Sequence, residues 1–333
     1  MPDFTGFWHY RLVSMGLRLS VHRRAWQQSV DALVASLPGL IPVVKGNGYG
    51  FGRDELMPHA ARVSTHIAVG TVYEAADVPT DRTAMVLTPH IGALPTSLPT
   101  SATLTVGSVT HVNALRTQGW RGSVVVKLRS SMRRYGVSHN DFAELTQAVS
   151  TARFSTVGYA LHFPLVGSSA DHAAEVDEWM THLDPSVPVS LSHLDADTYR
   201  QLEARHATRR LQMRSGTSLW HGDKSFLHLS ADVLDSQAVS TNDTVGYRGV
   251  TITEPGHVLL IAVGSAHGVR ALDDARSPFH FGHQRLRLIE PPHMHTSMVF
   301  VGGDQPCAAI GDRVDVQRPL IHTLIDELEW VDD

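Results

Sequence analysis

Between residues 40 and 215 the chain repeats one unit. A short run of Val, Ile, Leu or Ala is followed by a longer stretch with room for a helix or a long turn. The runs fall at 41–44, 66–69, 84–87, 102–106, 123–128, 156–161, 187–191 and 211–213. Apolar runs without polar alternation suit strands buried on both faces, as in a parallel sheet. Several intervening segments have helical period. Trp26, Val30, Leu33, Val34 and Leu37 form one stripe in 25–37. Phe142, Leu145 and Val149 do so in 140–150, and Ala173, Val176, Met180 and Leu183 in 171–183. Two crossovers make poor helices: the stretch after Glu55 holds Pro58, and 89–99 is rich in Pro and Ser. Strands alternating with crossovers in this way predict an α/β fold, a (β/α)8 TIM-type barrel, with an open doubly wound sheet as the alternative.

After Gly222 the pattern changes. Strand-like runs at 236–239, 258–262, 284–289, 297–301 and 313–316 are joined by short connections containing Gly and Pro. No amphipathic helix is expected until the last few residues. The predicted organisation is a barrel over 1–222 and a C-terminal all-β domain over 223–333, with a strand segment in 1–20 packing on the second domain. A chain of 333 residues accommodates both.

Composition excludes several classes. Charged residues are 18% and the formal net charge is −5, which argues against a nucleic-acid surface. The longest aliphatic run, 258–263, is too short to span a bilayer. Met1-Pro2-Asp3-Phe4-Thr5 lacks the basic-then-apolar order of a signal peptide. A single cysteine, Cys307, allows no disulfide framework. A cytoplasmic protein without nucleic-acid or membrane partners is expected.

In a barrel, chemistry gathers at the C-terminal ends of the strands. The first run ends in Lys45, followed by Gly46-Asn47-Gly48-Tyr49-Gly50-Phe51-Gly52. Lysine amines carry imine chemistry when desolvated, and glycines allow close backbone approach to a ligand. Lys127, Arg129 and Arg134 follow the fifth run, His162 ends the sixth, and Arg214 ends the eighth, before Ser215-Gly216-Thr217. Taken singly, each is an ordinary rim residue. Together they form a cationic, imine-capable set suited to an anionic aromatic cofactor.

The lysine segment, K-x-N-x-Y-G, resembles the pyridoxal-phosphate lysine motif of the alanine racemase family, and the resemblance extends over nearly the whole chain. It implies that Lys45 is the Schiff-base lysine and that Tyr49 contacts phosphate. The segment from Lys127 to Gly136 resembles the family's K-x-D-T-G-M-x-R-x-G. This implies a carbamylated Lys127 and an Arg134 that bonds the cofactor's phenolic oxygen and meets the substrate. Tyr159-Ala160-Leu161-His162-Phe163 is similar to the segment whose histidine packs on the pyridine ring. Residues 213–222 resemble V-R-P-G-I-x-L-Y-G, so Arg214 would bond the pyridine nitrogen and the backbone at Gly216 and Thr217 would hold phosphate. Met294 resembles the methionine whose backbone N–H binds substrate carboxylate. Family membership further implies a homodimer in which the β-domain of one chain caps the barrel mouth of the other, giving shared active sites.

The departures are specific. The family's second base is a tyrosine in I-G-Y-A-D-G-Y; here the matching position is Ser265, in Gly264-Ser265-Ala266-His267-Gly268. Serine is a much weaker acid than a phenol and needs a neighbouring base. His267 and His295 are the local offers for that role. The M-D pair has become Met294-His295, the family's aspartate in the lysine–arginine segment is Arg129, and a phosphate-binding tyrosine has no counterpart around 320–322. Asp195 falls where a phosphate-binding serine is usual. The expected function is Cα proton exchange on an amino acid by a pyridoxal-phosphate-dependent racemase with altered or weakened second-base chemistry. The alternatives are a non-racemising relative that binds the cofactor in a regulatory or carrier role, or another Cα reaction such as decarboxylation.

Overall fold

The computed structural model describes residues 15–332. The N-terminal pentapeptide and most of the 1–20 segment lie outside the described residues. The chain forms two compact units: residues 25–223, and residues 15–24 together with 224–332.

Strand β1 (Leu17–His22) belongs to the second of these. The first unit holds β2 (Ile41–Pro42), β3 (His66–Val69), β4 (Thr83–Val86), β5 (Thr103–Val106), β6 (Ser123–Lys127), β7 (Ser155–Ala160), β8 (Val189–Leu191) and β9 (Leu211–Ser215). All neighbours pair in parallel, in the order β2-β9-β8-β7-β6-β5-β4-β3. The two ends of that order meet through a parallel bridge between Val43 and Ala68, and Val44 N–H donates to the Ala68 carbonyl at 2.8 Å. This bridge closes the sheet into a barrel and decides against the open doubly wound alternative. Most of the strands are buried on both faces, β3, β4 and β6 with near-continuous apolar runs and β5, β8 and β9 with polar side chains turned into the barrel.

Crossover helices are α1 (Arg23–Ser36), α2 (Arg53–Val63), α3 (Val109–Thr117), α4 (Phe142–Thr151), α5 (Ser169–Met180) and α6 (Ala196–Arg205), with a short α7 (Thr217–His221) after β9. Each buries its apolar stripe: Trp26 and Val30 on α1, Leu145 and Val149 on α4, Val176 and Trp179 on α5. Ser168 and Asp171 form a reciprocal capping box on α5, and the Asp195 carboxylate caps α6. Residues 89–99 stay irregular, as their Pro content predicts. The stretch after Glu55 does not: α2 forms around Pro58. Pro58 lies on the exposed side, where water can satisfy the carbonyl it strands, while Leu56, Met57 and Ala60 are buried on the other. Asp54 and Glu55 in the first turn and Arg62 in the last also complement the helix dipole.

The second unit is antiparallel apart from one pair. Strand β10 (Leu227–Val239) is its spine, followed by β11 (Thr244–Val245), β12 (Val250–Thr251), β13 (Gly256–Ile261), β14 (Phe279–Phe281), β15 (Gln284–Arg285), β16 (Arg287–Leu288), β17 (Ser297–Gly302), β18 (Arg313–Val316) and β19 (Glu327–Val331). Strand β10 pairs with β1, β13 and β18 and shifts register between Val233 and Asp235, which lets one long strand serve both halves of the sheet. The last residues form no helix. They make β19, parallel to β1, with Arg18 bonded to Glu327 and Ser20 to Glu329 across the pair. No helix among the described residues is long and apolar enough to cross a membrane.

Candidate active site

Lys45 stands three residues beyond β2, where the chain leaves the barrel. The turn that follows is a run of left-handed backbone: Gly46, Gly48, Tyr49, Gly50 and Gly52 all have positive φ. Gly48 has no substitute, because a Cβ there would meet the backbone nitrogen of Arg53. We expect Gly48→Ala to lower stability by about 1–3 kcal/mol, measurable by denaturant titration. The turn carries Tyr49 inward to 7% exposure. Its hydroxyl packs against the Cα of Gly216, where any side chain would collide with it. Burial, then Glu74, push the phenol's pKa up, so it acts as a neutral hydrogen-bonding group.

The Lys45 residue is open to solvent, yet its amine is crowded by protein. That crowding lowers its pKa, with Arg134 adding to the effect, Glu74 opposing it and Arg214 adding again. Lys127 is buried with one bond, to the Ala160 carbonyl at 3.3 Å, and its pKa falls well below the ordinary value through burial, then Arg214 and Arg134. Arg214 is 5% exposed and is anchored entirely on neutral groups. Nη1 donates to the Ser190 carbonyl (2.9 Å) and to Ser190 Oγ, and Nη2 donates to the Leu161 carbonyl (2.6 Å). Its Nε–H has no partner among the described residues. Burial, then Arg134, lower its pKa to about 10, so it stays charged at neutral pH. His162 Nδ1 lies 2.6 Å from Ser192 Oγ, and burial beside these cations pushes its pKa down to about 2. It is therefore a neutral ring. Arg134 is exposed and lies over the Tyr135 ring at 5.2 Å.

The barrel thus brings Lys45, Tyr49, Lys127, Arg134, His162, Arg214, Gly216 and Thr217 to one end. Four ammonium or guanidinium groups gather there, and Lys45, Lys127 and Arg214 are each lowered by their cationic neighbours; among the described residues no carboxylate pairs with Lys127 or Arg214. Such a cluster costs free energy unless an anion fills it. The donor set fits pyridoxal phosphate: a depressed amine, an open guanidinium N–H, a neutral imidazole and a buried phenol at a glycine.

One residue that braces the Lys45 turn is not marked by the strand-end pattern. Glu74 Oε1 accepts from Gly46 N–H (3.1 Å), and Oε2 accepts from Gly70 N–H (2.6 Å). Arg53 donates to the Gly46 carbonyl (2.6 Å) and to Asp77. The peptide after Lys45 is therefore held at both ends. Thr71-Val72-Tyr73-Glu74 has the spacing of a capping box, which was the available signal.

The remaining candidates belong to the other unit. Ser265 and Ala266 N–H groups bond the carbonyls of His293 (2.7 Å) and Met294 (2.9 Å), so two loops run side by side. Ser265, Met294 and His295 are exposed there. His267 is buried: Nδ1 accepts from Gly264 N–H (3.1 Å) and Nε2 faces Asp326 (3.1 Å). Both ring nitrogens are engaged, which fits a bracing role better than that of a base. Asp195 sits at the N-cap of α6, accepting from Thr198 N–H at 2.7 Å.

Residues 21–207 match the model of the alanine racemase N-terminal domain. The chain belongs to the alanine racemase family. No curated protein matches it. Among solved structures it is similar to the alanine racemase of Bartonella henselae, determined with covalently bound pyridoxal phosphate, with 17% identity, TM-score 0.75 and coverage of 96% of this chain and 100% of that one. It is similar to the biosynthetic alanine racemase of Pseudomonas aeruginosa at 17% identity and TM-score 0.72, covering 96% and 100%. It is also similar to the histidine racemase of Leuconostoc mesenteroides at 16% identity and TM-score 0.68, covering 96% and 99%. At these identities the likeness is one of fold, a TIM barrel plus a β-domain.

Proposed function

We propose that this family member is a pyridoxal-phosphate-dependent amino-acid racemase whose second proton-transfer face is weakened. The observation that carries the reading is the cationic cluster at the barrel's C-terminal end, where Lys45, Lys127, Arg134 and Arg214 gather and only Glu74 opposes the depression of the Lys45 pKa. When bound, pyridoxal phosphate supplies an electron sink that acidifies the Cα–H of an amino acid. Lys45 would hold the cofactor and would move the Cα proton on its own face. The depressed pKa leaves more of that amine neutral near physiological pH than an ordinary lysine would have.

Arg214 sets the electronics. It keeps its proton, so it would donate a hydrogen bond to a ring nitrogen without transferring the proton. A ring left unprotonated is a weaker sink, which disfavours transamination and suits simple proton exchange. His162, held neutral, offers a flat face without adding charge. Tyr49 and the Gly216–Thr217 backbone would hold phosphate, Arg134 the phenolic oxygen, and Met294 N–H the substrate carboxylate, with Lys127 carbamylated as the resemblance implies. Two chains would share each site as a homodimer. A monomer with full activity in light scattering at micromolar concentration would remove the shared-site model.

The phosphate end is the weak point. Asp195, which the resemblance aligns with the family's phosphate-binding serine, is an exposed carboxylate capping α6, and hydrogen bonds with Ser169 and Thr198 lower its pKa. We expect weaker cofactor retention than in ordinary relatives and about a tenfold gain on Asp195→Ser, read as the cofactor concentration that half-saturates the visible absorbance. Complete retention by wild-type protein through exhaustive dialysis would count against this.

A second reading is a cofactor-binding relative that does not racemise. The exposed serine at 265 and the engaged ring of His267 favour it, because neither is a ready base. The deciding experiment is a spectrum of the purified protein followed by solvent-deuterium exchange into each enantiomer of the amino acids. Exchange from both enantiomers establishes the racemase. An imine spectrum without exchange establishes the binder.

A further inference from the structure

The barrel has a second polar end. Its inward-facing residues follow from register: Ile41 lies beside Arg214, Gln212 beside Ser190, Ser190 beside Ala160, and Gly158 beside Val125. Continuing round the sheet, Thr103 pairs with Met85, and Ala68 with Met85 on the other side. Barrel interiors are usually filled by bulky branched side chains. Here the inner positions include Ala68, Thr103, Gly158, Ala160 and Ser190, which are too small to meet at the axis. The result is a cavity of about 110 Å³ at the N-terminal end of the strands, lined by His66, Thr103, Gly158, Ser190, Arg210 and Gln212 among others. That space holds several waters or one small solute.

Its chemistry is one-sided. Arg210 stands at the rim, exposed and without an ion-pair partner among the described residues, and no carboxylate lines the cavity. Thr103 is 4% exposed and Gln212 is 8% exposed, yet neither side chain has a hydrogen-bond partner among the described residues. Their polar atoms are thus open to the cavity and available to an occupant. His66 Nδ1 lies 3.1 Å from Thr65 Oγ1, and burial, then Arg210, lower its pKa. The inner wall is Ser190, whose hydroxyl donates to the Tyr159 carbonyl (3.1 Å) and accepts from Arg214.

We propose that this cavity is a binding site for a small oxyanion, either inorganic phosphate or a short carboxylate, held by the Arg210 guanidinium, the Gln212 amide and the Thr103 hydroxyl. The ligand's shared chemistry is a compact anion with several acceptor oxygens, matched to a cation and two uncommitted donors on the cavity wall. It is separate from the Lys45 cluster at the other end of the same strands and does not depend on the reaction proposed there. Because Ser190 faces the cavity and also anchors Arg214, an occupant is felt at the Arg214 guanidinium.

The test uses the purified full-length protein with whatever cofactor it carries, isotopically labelled for magnetic resonance. Sodium phosphate and sodium acetate are titrated separately against a constant-ionic-strength chloride background. The expected result is a saturable shift of the Gln212 side-chain amide with one of the anions, accompanied by a shift of the Arg214 guanidinium. Which anion saturates tells a tetrahedral ligand from a planar one. Arg210→Gln and Gln212→Met should each weaken binding by tenfold or more, while Arg200→Gln, the same charge change elsewhere on the barrel, should not. Melting temperature and the unperturbed spectrum confirm that each variant is folded. Shifts confined to exposed arginines, or binding unaltered by Gln212→Met, would overturn the proposal.

Discussion

Lys45→Ala is expected to yield a folded protein that no longer forms a borohydride-fixed adduct and exchanges no Cα hydrogen from either enantiomer. The folding half rests on placement. Lys45 lies outside the strand ladder, and its turn is held by backbone bonds and by Glu74 and Arg53, which bind the neighbouring peptide rather than the lysine side chain. Removing the amine relieves repulsion with Arg134 and Arg214 and gives up attraction to Glu74, so stability should change little. The catalytic half rests on the lack of a substitute. Lys127 is the other depressed amine near the cluster, but it is buried and turned onto the Ala160 carbonyl, out of reach of solvent. Mass spectrometry after borohydride reduction should locate the adduct on Lys45 in wild-type protein and find none in the variant. An adduct of equal yield on another lysine would refute the assignment.

Much of the barrel was legible because one physical requirement, burial on both faces, favours continuous apolar runs, and the chain complies at 67–69 and 124–126, while β9 is buried although it carries Gln212, Arg214 and Ser215. The rim cations were legible for a related reason: charge placed directly after an apolar run has few structural uses. Other features were hidden because they depend on position in space. Glu74 lies 29 residues after Lys45 in sequence and reaches the loop because Val43, just beyond β2, is bridged to Ala68 of β3. His267 looked like an offered base, but its ring turns inward to Gly264 and Asp326, and the latter is contributed from far along the chain. Pro58 marked a break that the fold absorbs on an exposed helix face. The terminal residues read as a helix became β19 because β1 supplies a partner strand from the other end of the chain.

Ser265→Tyr is expected to raise racemisation while leaving one-sided exchange nearly unchanged. Lys45 serves one face of Cα. If the opposite face has no acid–base group, wild-type protein exchanges the Cα hydrogen of one enantiomer, the D form by analogy with the family, and inverts it slowly. Positioned acid–base groups contribute roughly 10²–10⁴-fold, so the inversion deficit relative to exchange should be of that order. The serine position can take a ring: Ser265 is exposed, and its N–H bond to the His293 carbonyl is made by backbone and survives the change. His295 is the other group to examine, since it is exposed beside Met294 while His267 has both nitrogens occupied. His295→Ala should therefore reduce exchange from the L enantiomer if that imidazole has taken over the second face. His267→Ala should instead lower stability, by removing the brace to Asp326, and reduce both directions equally. Deuterium incorporation from each pure enantiomer separates these cases. Brisk inversion in both directions by wild-type protein, surviving both histidine changes, would refute this account of the second face.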